Sequence, residues 1–226
     1  MNIAVLGTGP VGQTLSAKLA DLGHDVTIGT RDVDATMART EPDTFGNPPF
    51  SVWRAEHDNI AVATMSEVAG DADLIVNATN GGGSVEALEQ VGEENLAGKV
   101  VLDVSNPLDF SQGMPPSLLV SNTDSLGEQI QRRVPEARVV KSLNTMNAYL
   151  MVDPSQVADG DHTVFVSGND GEAKADVTNL LRSFGWEDVI DLGDITTARG
   201  TEMVLPIWVR LWSALENPMF QFKIAR

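Results

Sequence analysis

The sequence predicts an α/β protein: a doubly wound, mostly parallel sheet with a small C-terminal α/β lobe. Three observations predict it. Short apolar runs alternate with amphipathic stretches along nearly the whole chain. The runs are apolar at successive positions, as strands buried on both faces are. The first run enters a glycine-rich turn that opens a helix, the start of a β–α–β unit.

Taken in order, strands read at Asn2–Leu6, Asp25–Gly29, Ile60–Ala63, Leu74–Ala78, Val100–Val104, Arg138–Leu143, Thr163–Ser167 and Val189–Leu192. Helices read between them at Pro10–Leu22, Ser84–Val91, Ser125–Val134, Gly171–Phe184 and Thr201–Leu215. In the first helix Val11, Leu15, Leu19 and Leu22 form one stripe at helical spacing. Pro10 stands in the first turn, where a missing N–H is harmless. Gly23 follows the stripe and can take the left-handed conformation that ends it. Residues Thr40–Asp58 are richer in proline, glycine and polar side chains and read as an excursion, with a short helix near Phe50–Glu56. Met114–Pro116 reads as a further loop.

Composition narrows the functions. The chain has 226 residues, 42% of them hydrophobic, enough for a sizeable core. It has no cysteine, which removes disulfides, thiolate metal sites and a thiol nucleophile. The formal charge of -17 repels nucleic acid and anionic membranes, and the densest basic feature is the pair Arg132-Arg133. No apolar run is long enough to span a bilayer, and no basic leader precedes the first strand. The expectation is a cytoplasmic protein acting on small molecules.

Gly7-Thr8-Gly9-Pro10-Val11-Gly12 is G-x-G-x-x-G between a strand and a helix, the context in which that pattern binds a dinucleotide. Gly7 permits the tight turn, Gly9 lets the backbone approach a pyrophosphate, and Gly12 lets helix and strand pack closely. The helix N-terminus then offers free N–H groups to the phosphates. This predicts a Rossmann-type body. The second strand ends in Thr30-Arg31-Asp32, where NAD sites place an acid on the ribose hydroxyls. A guanidinium there pairs with a 2′-phosphate, which favours NADP. Asp32 reads as the N-cap of a short helix over Val33–Arg39. Thr79-Asn80-Gly81 after the fourth strand and Ser105-Asn106 after the fifth stand at carboxyl ends of strands, where ligands sit in open α/β sheets.

The catalytic inventory is thin. Tyr149 is the one tyrosine, and Asp153 rather than lysine lies four residues on. His24, His57 and His162 fall away from strand ends, so no catalytic side chain is assigned, and no metal-ligand spacing appears. Reducing a ketone calls for a proton donor beside the carbonyl. Hydride exchange between two redox cofactors needs instead two reactive carbons face to face in a dry slot.

The stretches Asn2–Gly9 through Gly29-Thr30-Arg31, Asp103-Val104-Ser105-Asn106-Pro107 and Lys141-Ser142-Leu143-Asn144-Thr145-Met146 resemble the NADPH-dependent reductases of the deazaflavin coenzyme F420. The resemblance implies NADP(H) along the strand tips, with the deazaflavin ring as co-substrate against the nicotinamide. Thr8, Gly9, Val11, Thr30 and Arg31 would hold the adenine-side phosphates. Thr79, Asn80 and Gly81 would lie near the pyrophosphate and nicotinamide ribose, and Asn144, Thr145 and Met146 would border the ring slot. It divides the chain into an NADP-binding body, 1–143, and a smaller lobe, 144–226, that supplies the second slot. Two departures bear on the acceptor. Asn147 stands where family members often have proline, and the excursion is longer than in compact members. An ordinary flavin or a small carbonyl is the alternative acceptor, and a non-catalytic NADPH-binding regulator is a third reading. The helix at Thr201–Leu215, with Trp208 and Trp212, reads as a homodimer contact or as an apolar wall of the ring slot.

Overall fold

The computed structural model describes residues 1–43 and 46–226; Thr44 and Phe45, inside the segment read as an excursion, lie outside the described residues. The strands are β1 (Asn2–Leu6), β2 (Asp25–Thr30), β3 (Ala61–Thr64), β4 (Leu74–Asn77), β5 (Val100–Asp103), the short β6 (Leu108–Asp109) and β7 (Ser117–Leu118), then β8 (Arg138–Ser142), β9 (Thr163–Gly168) and β10 (Asp188–Gly193). The helices are α1 (Pro10–Asp21), α2 (Val33–Met37), α3 (Phe50–Glu56), α4 (Met65–Val68), α5 (Ser84–Val91), α6 (Glu93–Leu96), α7 (Leu126–Arg133), α8 (Ala148–Val152), α9 (Gly171–Ser183), α10 (Ala198–Met203) and α11 (Leu205–Leu215).

Eight strands form one sheet in the order β10-β9-β8-β5-β4-β1-β2-β3. Every pairing is parallel except β8 with β9. The order reverses direction beside β1, and there the crevice at the carboxyl ends of the strands opens. Side chains of a strand alternate between faces. In β1, Ile3 and Val5 therefore join the core under α1 with Leu15, Leu19 and Ile28, while Ala4 and Leu6 join the opposite core with Ile75, Leu88 and Ile130. Two buried faces explain why the strand sequences show no polar alternation. This is the Rossmann-type, doubly wound architecture expected. The part after residue 143 adds β9 and β10 to the same sheet and forms no sheet of its own.

One expectation about local structure changes. The helix read over Thr201–Leu215 is two helices that meet at Val204. Pro206 has no N–H to give the carbonyl of Glu202, so the hydrogen-bond ladder stops and restarts. The glycine triplet Gly81–Gly83 is a single 3-10 turn that runs directly into α5.

Candidate functional site

The crevice begins at the loop after β1. Gly7 has φ +115°, and a Cβ there would stand 2.7 Å from the carbonyl oxygen of Ala78. A Cβ on Gly12 would stand 2.1 Å from the carbonyl oxygen of Gly7. Both positions exclude any larger residue, and together they press α1 onto the strand tips. Gly9 differs: among the described residues, its chain neighbours apart, no atom lies within 4 Å of a Cβ built on it. It is the N-cap of α1 and has no side chain to satisfy the first N–H groups of the 12-residue helix. The space over Gly9 is therefore an open cradle at a helix N-terminus, and an anion satisfies those donors. The residues present fit the pyrophosphate of a dinucleotide.

From this cradle a groove of about 730 Å³ runs along the tips of β1, β2 and β4. Gly7, Thr8, Gly9, Thr30, Arg31, Thr79 and Asn80 line it. Arg31 is exposed, as a guanidinium reading a phosphate must be. The hydroxyl of Thr30 is turned inward, sharing a 2.8 Å hydrogen bond with Thr36 Oγ1. Asp32 Oδ1 accepts the N–H of Ala35 at 2.8 Å and caps α2, so it serves the helix. Arg39 lines the same groove and was not read from the sequence. Arg39 lies two residues beyond the end of α2, so its place in the groove depends on the turn that follows the helix.

Other expected residues lie outside this groove. Pro10 lines a neighbouring cavity between α1 and the excursion, while Val11 and Gly12 face the packing of α1. Gly81 is buried, and a Cβ on it would stand 2.0 Å from the carbonyl oxygen of Asn106. That contact fastens the loop after β4 to the loop after β5. Ser105 is buried too, its N–H and Oγ both donating to Asp103 Oδ1, at 3.1 and 2.6 Å. Asn106 and Asn144 bond each other: Asn106 Nδ2 donates to the Asn144 carbonyl at 2.9 Å, and Asn144 Nδ2 to Asn106 Oδ1 at 3.1 Å. Asn144, Thr145 and Met146 are buried, so the structure places them beneath the strand tips, off the groove. Asn147 caps α8 through Leu150 N–H and donates to the Pro218 carbonyl at 2.6 Å, bonds that proline cannot make. His57 binds the Trp53 carbonyl and His162 the Pro154 carbonyl, both away from the groove.

A mostly parallel sheet whose reversal point carries an uncapped, glycine-gated helix N-terminus and an exposed arginine defines a dinucleotide-binding protein of the Rossmann type. Residues 2–107 match the family described as NADP oxidoreductase, coenzyme F420-dependent. A crystal structure from Arthrobacter sp. FB24, provisionally named an F420-dependent NADP reductase, is 64% identical with a TM-score of 0.96, covering 100% of both chains. The F420-dependent NADP reductase of Methanocaldococcus jannaschii is 27% identical over 213 residues, 93% of this chain and 92% of that one. Metalloreductase STEAP3 of Rattus norvegicus is 25% identical over 211 residues, 91% of this chain and 37% of that protein. The chain belongs to the family of F420-dependent NADP oxidoreductases, and it is an NADP-dependent oxidoreductase.

Proposed function

We propose that this chain transfers a hydride between NADP(H) and coenzyme F420, a flat deazaflavin carrier. The observation that carries this reading is the full-length likeness, at 64% identity, to a chain named for that reaction. In this reading residues 1–143 bind NADP and residues 144–226 complete the acceptor slot. The first N–H groups of α1, with Thr8 and Gly9, hold the pyrophosphate, and Arg31 holds the 2′-phosphate. Thr79 and Asn80 border the ribose. Asn106 borders the nicotinamide end, held there by the buried Asn144, and Met146 backs the slot. Bound NADPH supplies the hydride. The protein's part is to orient two rings and keep water away, for which no dedicated acid or base is needed. The reaction belongs to the cytoplasm, and α11 serves as a contact between two copies.

The test is anaerobic mixing with NADPH. Loss of the deazaflavin's visible absorbance is the expected result; NADPH binding without turnover across F420, flavins and carbonyls would make the protein a regulator. A second reading has one observation in its favour. The metalloreductase is nearly as similar as the archaeal F420 enzyme, 25% against 27% identical. On that reading the hydride goes to an acceptor other than F420, and NADPH is oxidised with a flavin or a small carbonyl but not with F420.

A further inference from the structure

Beneath the tips of β5 and β8 lies a group of buried charges that the groove does not use. Lys141, in β8, has no exposed side-chain surface. Its Nζ lies 2.9 Å from Asp103 Oδ2, 2.9 Å from Glu202 Oε1 and 2.7 Å from the Ser105 carbonyl oxygen. All three ammonium donors are thereby used. Burial works against its charge, but the two carboxylates outweigh burial and hold its pKa above the ordinary lysine value. Glu202, from α10, also accepts the N–H groups of Leu126 and Gly127 at the start of α7, at 2.8 and 3.0 Å. Asp103 accepts Asn77 Nδ2 at 2.9 Å, and Thr79 Oγ1 donates to Asn77 Oδ1 at 2.7 Å. An unbroken chain of polar contacts thus runs from the groove wall to α7.

A buried ion triad is a poor way to gain stability, since apolar side chains of like volume often do as well or better. What apolar side chains lack is direction. Lys141 bonds the carbonyl immediately before Asn106. Glu202 immediately follows Thr201, whose carbonyl accepts Asn144 Nδ2 at 3.1 Å. The triad therefore grips the neighbours of both members of the Asn106–Asn144 pair. Between Lys141 and Asn144 stands Leu143, buried, with φ +60°. Leucine rarely adopts that left-handed conformation, and it persists where its surroundings dictate it. It is the bend that turns Asn144 toward Asn106.

We propose that the Lys141–Asp103–Glu202 triad is a positioning device for the nicotinamide end of the cofactor. Lys141 and Glu202 act through Asn106 and Asn144 and touch no cofactor atom. The proposal rests on the placement of the nicotinamide beside Asn106 given above, with Asn144 holding Asn106 from beneath.

The test compares NADPH with 2′,5′-ADP, the half of the cofactor that lacks nicotinamide, by calorimetry on the full chain. Glu202→Gln keeps the side-chain shape and removes its charge; Lys141→Met removes the ammonium. Both variants are expected to bind 2′,5′-ADP within about twofold of the parent and NADPH about tenfold more weakly, as loss of an oriented polar contact implies. The change in nicotinamide fluorescence on binding should shrink as well. Glu202→Asp, which restores a carboxylate, should recover part of the NADPH affinity, and it carries the comparison if the other variants melt below the assay temperature. Equal losses for the two ligands, or unchanged affinities with a lowered melting temperature, would overturn the proposal and leave a structural triad. No acceptor enters these measurements, so a failure to reduce F420 is a separate outcome.

Discussion

Single residues divide the cofactor loop into those that shape it and one that leaves room. Gly9→Val should fold, because open space surrounds a Cβ there, but it should bind neither NADPH nor 2′,5′-ADP, because the branched side chain fills the cradle. Gly12→Ala should lose folding itself, since its methyl would meet the Gly7 carbonyl at 2.1 Å. Melting curves and ligand titration separate the two; a Gly9→Val variant with normal affinity would remove the pyrophosphate from this loop. At the other end of the groove, Arg31→Ala should weaken NADPH by about 1.5–3 kcal/mol, the worth of a charge-assisted contact, and leave NADH unchanged. Arg39→Ala should add a smaller loss, about 0.5–1 kcal/mol, as suits an exposed cation, measured by the same titrations. Equal losses for NADPH and NADH would show that neither arginine reads the 2′-phosphate. Arg31 was legible because it stands at a strand tip. Arg39 was not, because its place depends on how far α2 runs before the chain turns. Thr30 stands beside Arg31: its type suggested a phosphate ligand, and its hydroxyl shares a hydrogen bond with Thr36 at the same groove.

Helices were legible where one apolar stripe met a clear stop, as in α1 and α9. Short helices marked by a cap were read in one case, α2 behind Asp32, and missed in two others. Thr64 and Glu67 form a capping box that starts α4, and Asn147 caps α8; both patterns stood in the sequence. The break between α10 and α11 was equally available in Pro206. Helix α7 carries its own prediction. Arg132, hydrogen-bonded to Asp124 just before the helix, holds that carboxyl well below its ordinary range, at about 2. A carboxylate depressed by folding contributes stability above its unfolded pKa and loses it as pH falls through the folded one. The contribution should therefore be intact above about pH 4 and fade toward pH 2. Melting temperatures across that interval should fall less steeply in Asp124→Asn than in the parent. Parallel slopes would show that the pair is too exposed to matter.

For the molecule as a whole, the strands and their mostly parallel sheet were readable because the central ones, β1, β4, β5 and β8, are buried on both faces. The reversed direction of β9 was not. A strand buried on both faces reads the same whichever way it runs, and the three short helical turns after Asn147 that reset its direction carry no long periodic signal. The exposed side of the C-terminal helix concerns assembly. Met203, Ile207 and Leu215 are exposed, and α11 itself contains no acidic residue in a chain of charge -17. If α11 joins two copies, Ile207→Asp should yield monomers in sedimentation with NADPH affinity preserved. A parent that sediments as a monomer would remove the contact.

The antiparallel joint between β8 and β9 has a kinetic meaning. Val140 pairs with Gly168, Lys141 with Ser167 and Ser142 with Val166, so the C-terminal part is stitched to the body through main-chain bonds. A region attached in that way is a fixed wall; swinging it outward like a hinged door would tear a sheet. If the C-terminal part completes the acceptor slot, β9 and β10 are expected to stay in place through turnover, with no step in which they swing outward. X-ray scattering profiles of the free and NADPH-bound protein should superimpose, whereas a contraction on binding would reveal a hinge that these strand pairings forbid.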